Sequence, residues 1–154
     1  MNRLEIEAAS ISHNERKDCT VVAMALALDL DYKTVHSAMA IAGRKHGKAC
    51  NFSVIGRKAA ADLGFLMETL LDYSAKTMIT AERDPKLAKG RYIIQIRRHV
   101  AALIDGKVID WSQGRRKIIN RIYTFTPMAR AVAKAISIPA HDWLAIPVQT
   151  ALNL

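Results

Sequence analysis

Apolar positions in the first half of the chain recur with helical spacing, whereas in the second half they gather into short, β-branched runs. The clearest helical stretch runs from Cys19 to Leu28 (Cys-Thr-Val-Val-Ala-Met-Ala-Leu-Ala-Leu). It is apolar on all sides and rich in alanine, leucine and methionine, which predicts a buried helix. Asp18 stands where an N-cap belongs and places Cys19 at the first helical position. A second helix is expected from Tyr32 to about Ala42, with Asp31 as its cap. A third runs from Val54 to Leu63, capped by Asn51 or Ser53 and ended by Gly64. Ser74 to about Arg83 predicts another, closed by Asp84-Pro85. Met1 to Ala9 alternates only weakly, so a strand and a frayed arm both stay open, and Ser10 to Lys17 reads as a polar loop.

From Gly90 the pattern changes. Tyr92 to Ile96 is a strand, and Arg97-Arg98 marks a bend or tight turn before a second strand that begins at His99. Asp105-Gly106 then separates two apolar runs, the strongest short-range hairpin signal, and predicts a two-residue type I′ turn. Counting outward sets Ile104 opposite Lys107, Leu103 opposite Val108 and Ala101 opposite Asp110. His99 and Asp110 thereby share a face as diagonal neighbours, roughly 7–8 Å apart. Ile118 to Phe125 gives one more strand, and Pro127 is placed to open a helix over Met128 to Ile136. Helices first and strands afterwards predict an α+β fold, with N-terminal helices packed on a C-terminal antiparallel sheet.

The length of 154 residues suits a single domain spanning 1–154, with a core that needs no staples. Two cysteines, Cys19 and Cys50, make no disulfide framework, and neither a signal peptide nor an apolar run of membrane-spanning length is evident. A cytoplasmic, reduced setting without membrane attachment is therefore expected. The net charge of +9 is concentrated: between Arg83 and Arg121 there are eleven basic residues against three acidic ones. Arg97, Arg98, Arg115, Arg116 and Lys117 form its densest part and point to an acidic protein or a nucleic acid as partner. No aromatic platform accompanies that charge, and basic strand edges are also common blockers of aggregation.

The chemistry centres on Cys19. Unpaired N–H groups and the helix dipole stabilise an anion at a helix N-terminus, so a thiol there ionises readily. A free cysteine is otherwise most often a small buried hydrophobe. The His99–Asp110 hairpin tips the balance, because a carboxylate beside an imidazole fixes its tautomer and turns it into a base for a nucleophile. His46 and Cys50, four apart, offer two metal ligands with no second pair to complete a zinc site, so neither a metal nor another cofactor is expected.

Asp18-Cys19 opening an apolar helix, then Gly90-Arg91-Tyr92-Ile93-Ile94, then His99-Val100-Ala101 and Asp105 to Asp110, resembles the papain-like cysteine peptidase superfamily. The closest likeness is to its small bacterial and phage members, similar to the peptidases that remove double-glycine leaders. The resemblance covers roughly Asn14 to Trp111 and is one of order and spacing. It implies a papain-like fold with Cys19 as nucleophile, His99 as base and Asp110 as orienter. The family often carries a glutamine six residues before the cysteine as an oxyanion donor. Here that position is His13, and Asn14 is the nearest amide. Two functions follow as expectations. One is a cysteine hydrolase that cleaves an amide, isopeptide or thioester bond of a protein or peptide. The other is a non-catalytic basic binding protein, of the kind by which a phage modifies its host, on the same scaffold.

Overall fold

A computed structural model describes residues 3–15, 17–109 and 116–129. Four helices lead: α1 (Arg3–Ser12), α2 (Cys19–Leu28), α3 (Tyr32–Ile41) and α4 (Phe52–Asp62). Strand β1 (Phe65–Leu70) and the short α5 (Met78–Ala81) follow, and then β2 (Arg91–Ile96), β3 (His99–Ile104), β4 (Lys107–Ile109) and β5 (Ile119–Pro127). The five strands form one antiparallel sheet in the order β1-β5-β2-β3-β4. The fold is α+β, as the order of periodicities predicts.

The sheet is covered on both faces, which explains why β2 and β3 read as continuous apolar runs rather than alternating ones. Ile93, Val100, Ala102, Met67 and Tyr123 face the helices and pack with α2 in the larger core. Ile94, Ile96, Ala101, Leu103, Val108 and Ile122 face the other way, against Met78, Ala81 and Leu87. Helix α2 runs through the larger core, with every residue from Thr20 to Leu28 buried. Among the described residues no helix is long and apolar enough to cross a membrane.

Both tight turns that frame β3 have two loop residues. Ile104 pairs with Lys107, Leu103 with Val108 and Ala102 with Ile109, the register counted from the sequence. Asp105 and Gly106 both have positive φ, 47° and 75°, as a type I′ turn requires. At the other end Ile96 pairs with His99 across Arg97-Arg98, and Arg98 takes the left-handed φ of 61° without being glycine.

Several elements differ from expectation. Residues from Met1 onward, read as strand or arm, contain helix α1, which extends three residues into the stretch expected to be loop. Strand β1 carries a helix-forming Met-Glu pair, and its partner β5 lies some fifty residues on, so no local pattern announces it. The helix expected over Ser74 to Arg83 shrinks to four residues. The buried Asp84 carboxylate explains this, since Oδ2 accepts the N–H groups of Ser74 (2.7 Å) and Ala75 (2.9 Å) and holds them out of a helical ladder. Pro127 ends β5 with Met128 and Ala129 helical after it, and the rest of the helix expected to Ile136 lies outside the described residues.

Candidate active site

Cys19 is the first residue of α2, and Asp18 precedes it as expected, but not as a side-chain cap. The Asp18 main-chain carbonyl accepts from the N–H groups of Val21 and Val22, at 2.8 and 3.0 Å. Its carboxylate turns inward instead, accepting the hydroxyls of Ser10 (2.6 Å) and Tyr32 (2.8 Å). The cap thus becomes a tie between α1, α2 and α3, and it fixes the point at which Cys19 leaves the loop. The buried phenol of Tyr32, desolvated and facing the Asp18 carboxylate, is held well above its ordinary pKa and stays a proton donor.

Helix α2 lies along β3, and this brings the half-buried Cys19 thiol into a hydrogen bond with His99. Burial alone would push the thiol pKa up. The hydrogen bond to His99, a second from the Val100 main chain and the charge of the imidazole outweigh it, and the thiol titrates below its usual range. Cys50 shows the contrast: it is part-buried, its Sγ donates to Thr20 Oγ1 at 3.7 Å, and burial pushes its thiol up. Of the two cysteines, the structure activates Cys19.

A cavity of about 670 Å³ opens over this pair, lined by Lys17, Asp18, Cys19, Thr20, Ala49, Cys50, Phe52, Gln95, Ile96, Arg98, His99 and Val100. A second, more open cleft of about 790 Å³ begins at the same Arg98 and His99. It continues past Arg97, Arg116, Lys117, Ile118 and Asn120. Four of the five expected basic residues therefore line one cleft that adjoins the Cys19–His99 pair. Arg115 and Asp110, and with Asp110 the orienting role expected of it, lie outside the described residues.

Asn14 is not brought to the site. It is exposed, at a φ of 50° in the turn after α1, and does not line the cavity. Its neighbour His13 turns away as well, packing 5.2 Å from the Tyr32 ring and 5.3 Å from that of His36. The oxyanion donor expected at Asn14 is therefore not at the cavity. An amide that the sequence did not single out, Gln95 on β2, lines the cavity instead.

Behind the loop that leads to Cys19 lies a polar cluster around the buried Glu15. Arg44 Nη1 and Nη2 reach Glu15 Oε1 and Oε2 at 2.9 and 3.1 Å, and the Gly47 N–H donates to Oε2 at 2.9 Å. His36 Nε2 and His46 Nδ1 approach Oε1 at 3.0 and 3.1 Å. His46 thus faces Glu15 while Cys50 faces the cavity, so the two metal ligands weighed in the sequence share no site. Glu15, His36 and His46 do offer three ligand atoms within 4.8 Å of one another. Both oxygens of Glu15 already serve the permanent cation of Arg44, however, which opposes a second cation at the same carboxylate. The cluster reads as an anchor: Arg44 Nη2 also donates to the Lys17 carbonyl at 3.2 Å, two residues before Cys19.

No protein-family model, curated protein or solved structure matches the chain.

Proposed function

We propose that this protein is a cysteine hydrolase with a papain-like arrangement, acting on an amide, isopeptide or thioester carbonyl. The observation that carries the reading is the Cys19 thiol, lowered in pKa at a helix N-terminus and hydrogen-bonded to His99 on the floor of an accessible cavity. His99 takes the thiol proton and the thiolate adds to the substrate carbonyl. As the tetrahedral intermediate collapses, His99 returns the proton to the departing amine or thiol and a thioester to Cys19 remains. Water, deprotonated by His99, then releases the acid and restores the thiol. Asp110 enters as the group that orients His99, a role assigned from its place in the sequence.

The test is capture of the thioester. Incubation with p-nitrophenyl acetate followed by mass spectrometry is expected to find one acetyl group, on Cys19, and to find none after Cys19→Ala or His99→Ala. Failure to acylate Cys19 would remove the hydrolase reading.

The cleft of Arg97, Arg98, Arg116 and Lys117 favours a second reading, a binding protein that holds an acidic protein or a nucleic acid. The two are separable, because binding of that kind survives Cys19→Ala. We favour hydrolysis, since a basic surface alone does not account for a thiol and an imidazole paired at the mouth of the cleft.

A further inference from the structure

A tetrahedral intermediate on Cys19 places a negative charge on the former carbonyl oxygen, and Asn14, the amide expected to stabilise it, does not line the cavity. We infer that the Gln95 side-chain amide is that donor, an assignment that rests on the hydrolase reading. Three observations converge on it. Gln95 lines the cavity together with Cys19 and His99. In the β2–β3 ladder it stands directly opposite Val100, whose main chain is bonded to the Cys19 thiol, so its side chain has only a short span to cover. It also lies two residues from Ile93, which packs in the core beneath α2, and so belongs to the helix-facing side of the sheet.

A fourth observation concerns which end of the amide is held. Arg121 Nη1 donates to Ser53 Oγ at 3.0 Å, and a guanidinium can only donate. Gln95 Oε1 can only accept, so the Tyr123 hydroxyl spends its one hydrogen there and takes the Ser53 hydrogen, 2.8 Å away. Tyr123, accepting there, donates to Gln95 Oε1 at 2.7 Å. Every hydrogen in the relay has one direction, and it ends by fixing the carbonyl oxygen of Gln95 toward Tyr123. The Nε2 group carries the two remaining hydrogens and has no partner among the described residues. A held amide with its donor end unspent, in the cavity of the nucleophile, is the preorganised dipole that stabilises an oxyanion. Tyr123 acts through Gln95 and is a positioning residue.

Two reactions of the same sulfur test this in the full-length protein. Acetylation by p-nitrophenyl acetate passes through an oxyanion, whereas alkylation by iodoacetamide is a direct displacement that does not. Gln95→Met, which keeps the bulk and removes the donor, is expected to slow acetylation of Cys19 by about 10²-fold or more while the alkylation rate stays within about twofold. Tyr123→Phe, which releases Oε1 and lets the amide turn, is expected to give a smaller loss with the same selectivity. Unchanged acetylation in Gln95→Met would overturn the inference. So would a parallel fall in both reactions, which would assign Gln95 to the thiolate or to folding. Ester hydrolysis that persists undiminished in Cys19→Ala would instead fell the hydrolase reading and this inference with it.

Discussion

Arg44 forks onto Glu15, with two nitrogens on two oxygens, and both side chains are closed off from solvent. A single hydrogen bond from one end of the same guanidinium to the Lys17 carbonyl carries the fork to the threshold of the site. Removing one partner of a buried pair leaves an uncompensated charge, which costs about 3–5 kcal/mol. Arg44→Met is therefore expected to lower stability by that order, read as a shift in the urea midpoint. It should also loosen the approach to Cys19. A loss below about 1 kcal/mol would show that the pair is not the anchor described.

The same carboxylate sets an acid limit. The hydrogen bonds from Arg44 hold the Glu15 pKa at about 2, below its ordinary value of 4.5, against the opposing effect of burial. A depressed folded-state pKa contributes stability that is complete above the unfolded value and disappears as the pH falls through the folded one. Stability should thus fall between about pH 4.5 and pH 2 on account of Glu15. Glu15→Gln is expected to be less stable at pH 7 and to lose less of its remaining stability across that window. Thermal unfolding of both proteins from pH 2 to pH 7 reads the difference, and equal slopes would exclude Glu15 as its source.

The two thiols should differ in reactivity. His99 and the Val100 main chain draw Cys19 below the usual thiol range, while burial lifts Cys50 above it. Limiting iodoacetamide at pH 7 is expected to label Cys19 first, and His99→Ala to erase most of that preference. Labelling of Cys50 ahead of Cys19 would contradict the assignment of the nucleophile.

Arg98 combines a left-handed φ with a side chain that lines both clefts. Glycine adopts that φ without the steric penalty, of order 1 kcal/mol, that other residues incur. Arg98→Gly is expected to keep or slightly raise the melting temperature and to weaken binding of a fluorescent oligoglutamate. Arg116→Glu with Lys117→Glu should weaken the same binding by roughly tenfold at low salt and less as salt is added. Oligoglutamate binding indifferent to all three changes and to salt would deny the cleft an acidic partner.

How legible the sequence was depended on whether a feature was local. The Asp105-Gly106 turn declares its own register, and Asp31 declares the start of α3, where its Oδ1 accepts the Thr34 N–H at 2.8 Å. Cys19 and His99 were visible because a helix start and a strand start are each written in a few neighbouring residues. Relations across the chain were not. Nothing near Asp18 shows that its carboxylate belongs to Ser10 and Tyr32 rather than to its own helix, and nothing near Arg44 reveals Glu15. Gln95 is hidden in the sequence for the same reason. Its meaning comes from Tyr123, Ser53 and Arg121, which only the paired strands and α4 bring together. The one hint is a lone amide among the isoleucines of β2.

The reactive pair and its rim belong to different kinds of chain. Cys19 begins a helix whose remaining residues are buried, and His99 begins a strand packed on both faces, so neither can drift without disturbing the whole interior. Ala49, Cys50 and Arg98, which border the same cavity, sit on connections between elements. If the protein is the hydrolase proposed above, the groups that attack and the groups that choose what is attacked are written in separate stretches of sequence. On the proposed hydrolase reading, exchanging residues 48–49 or 97–98 would change which acyl group is accepted without replacing a residue of either core.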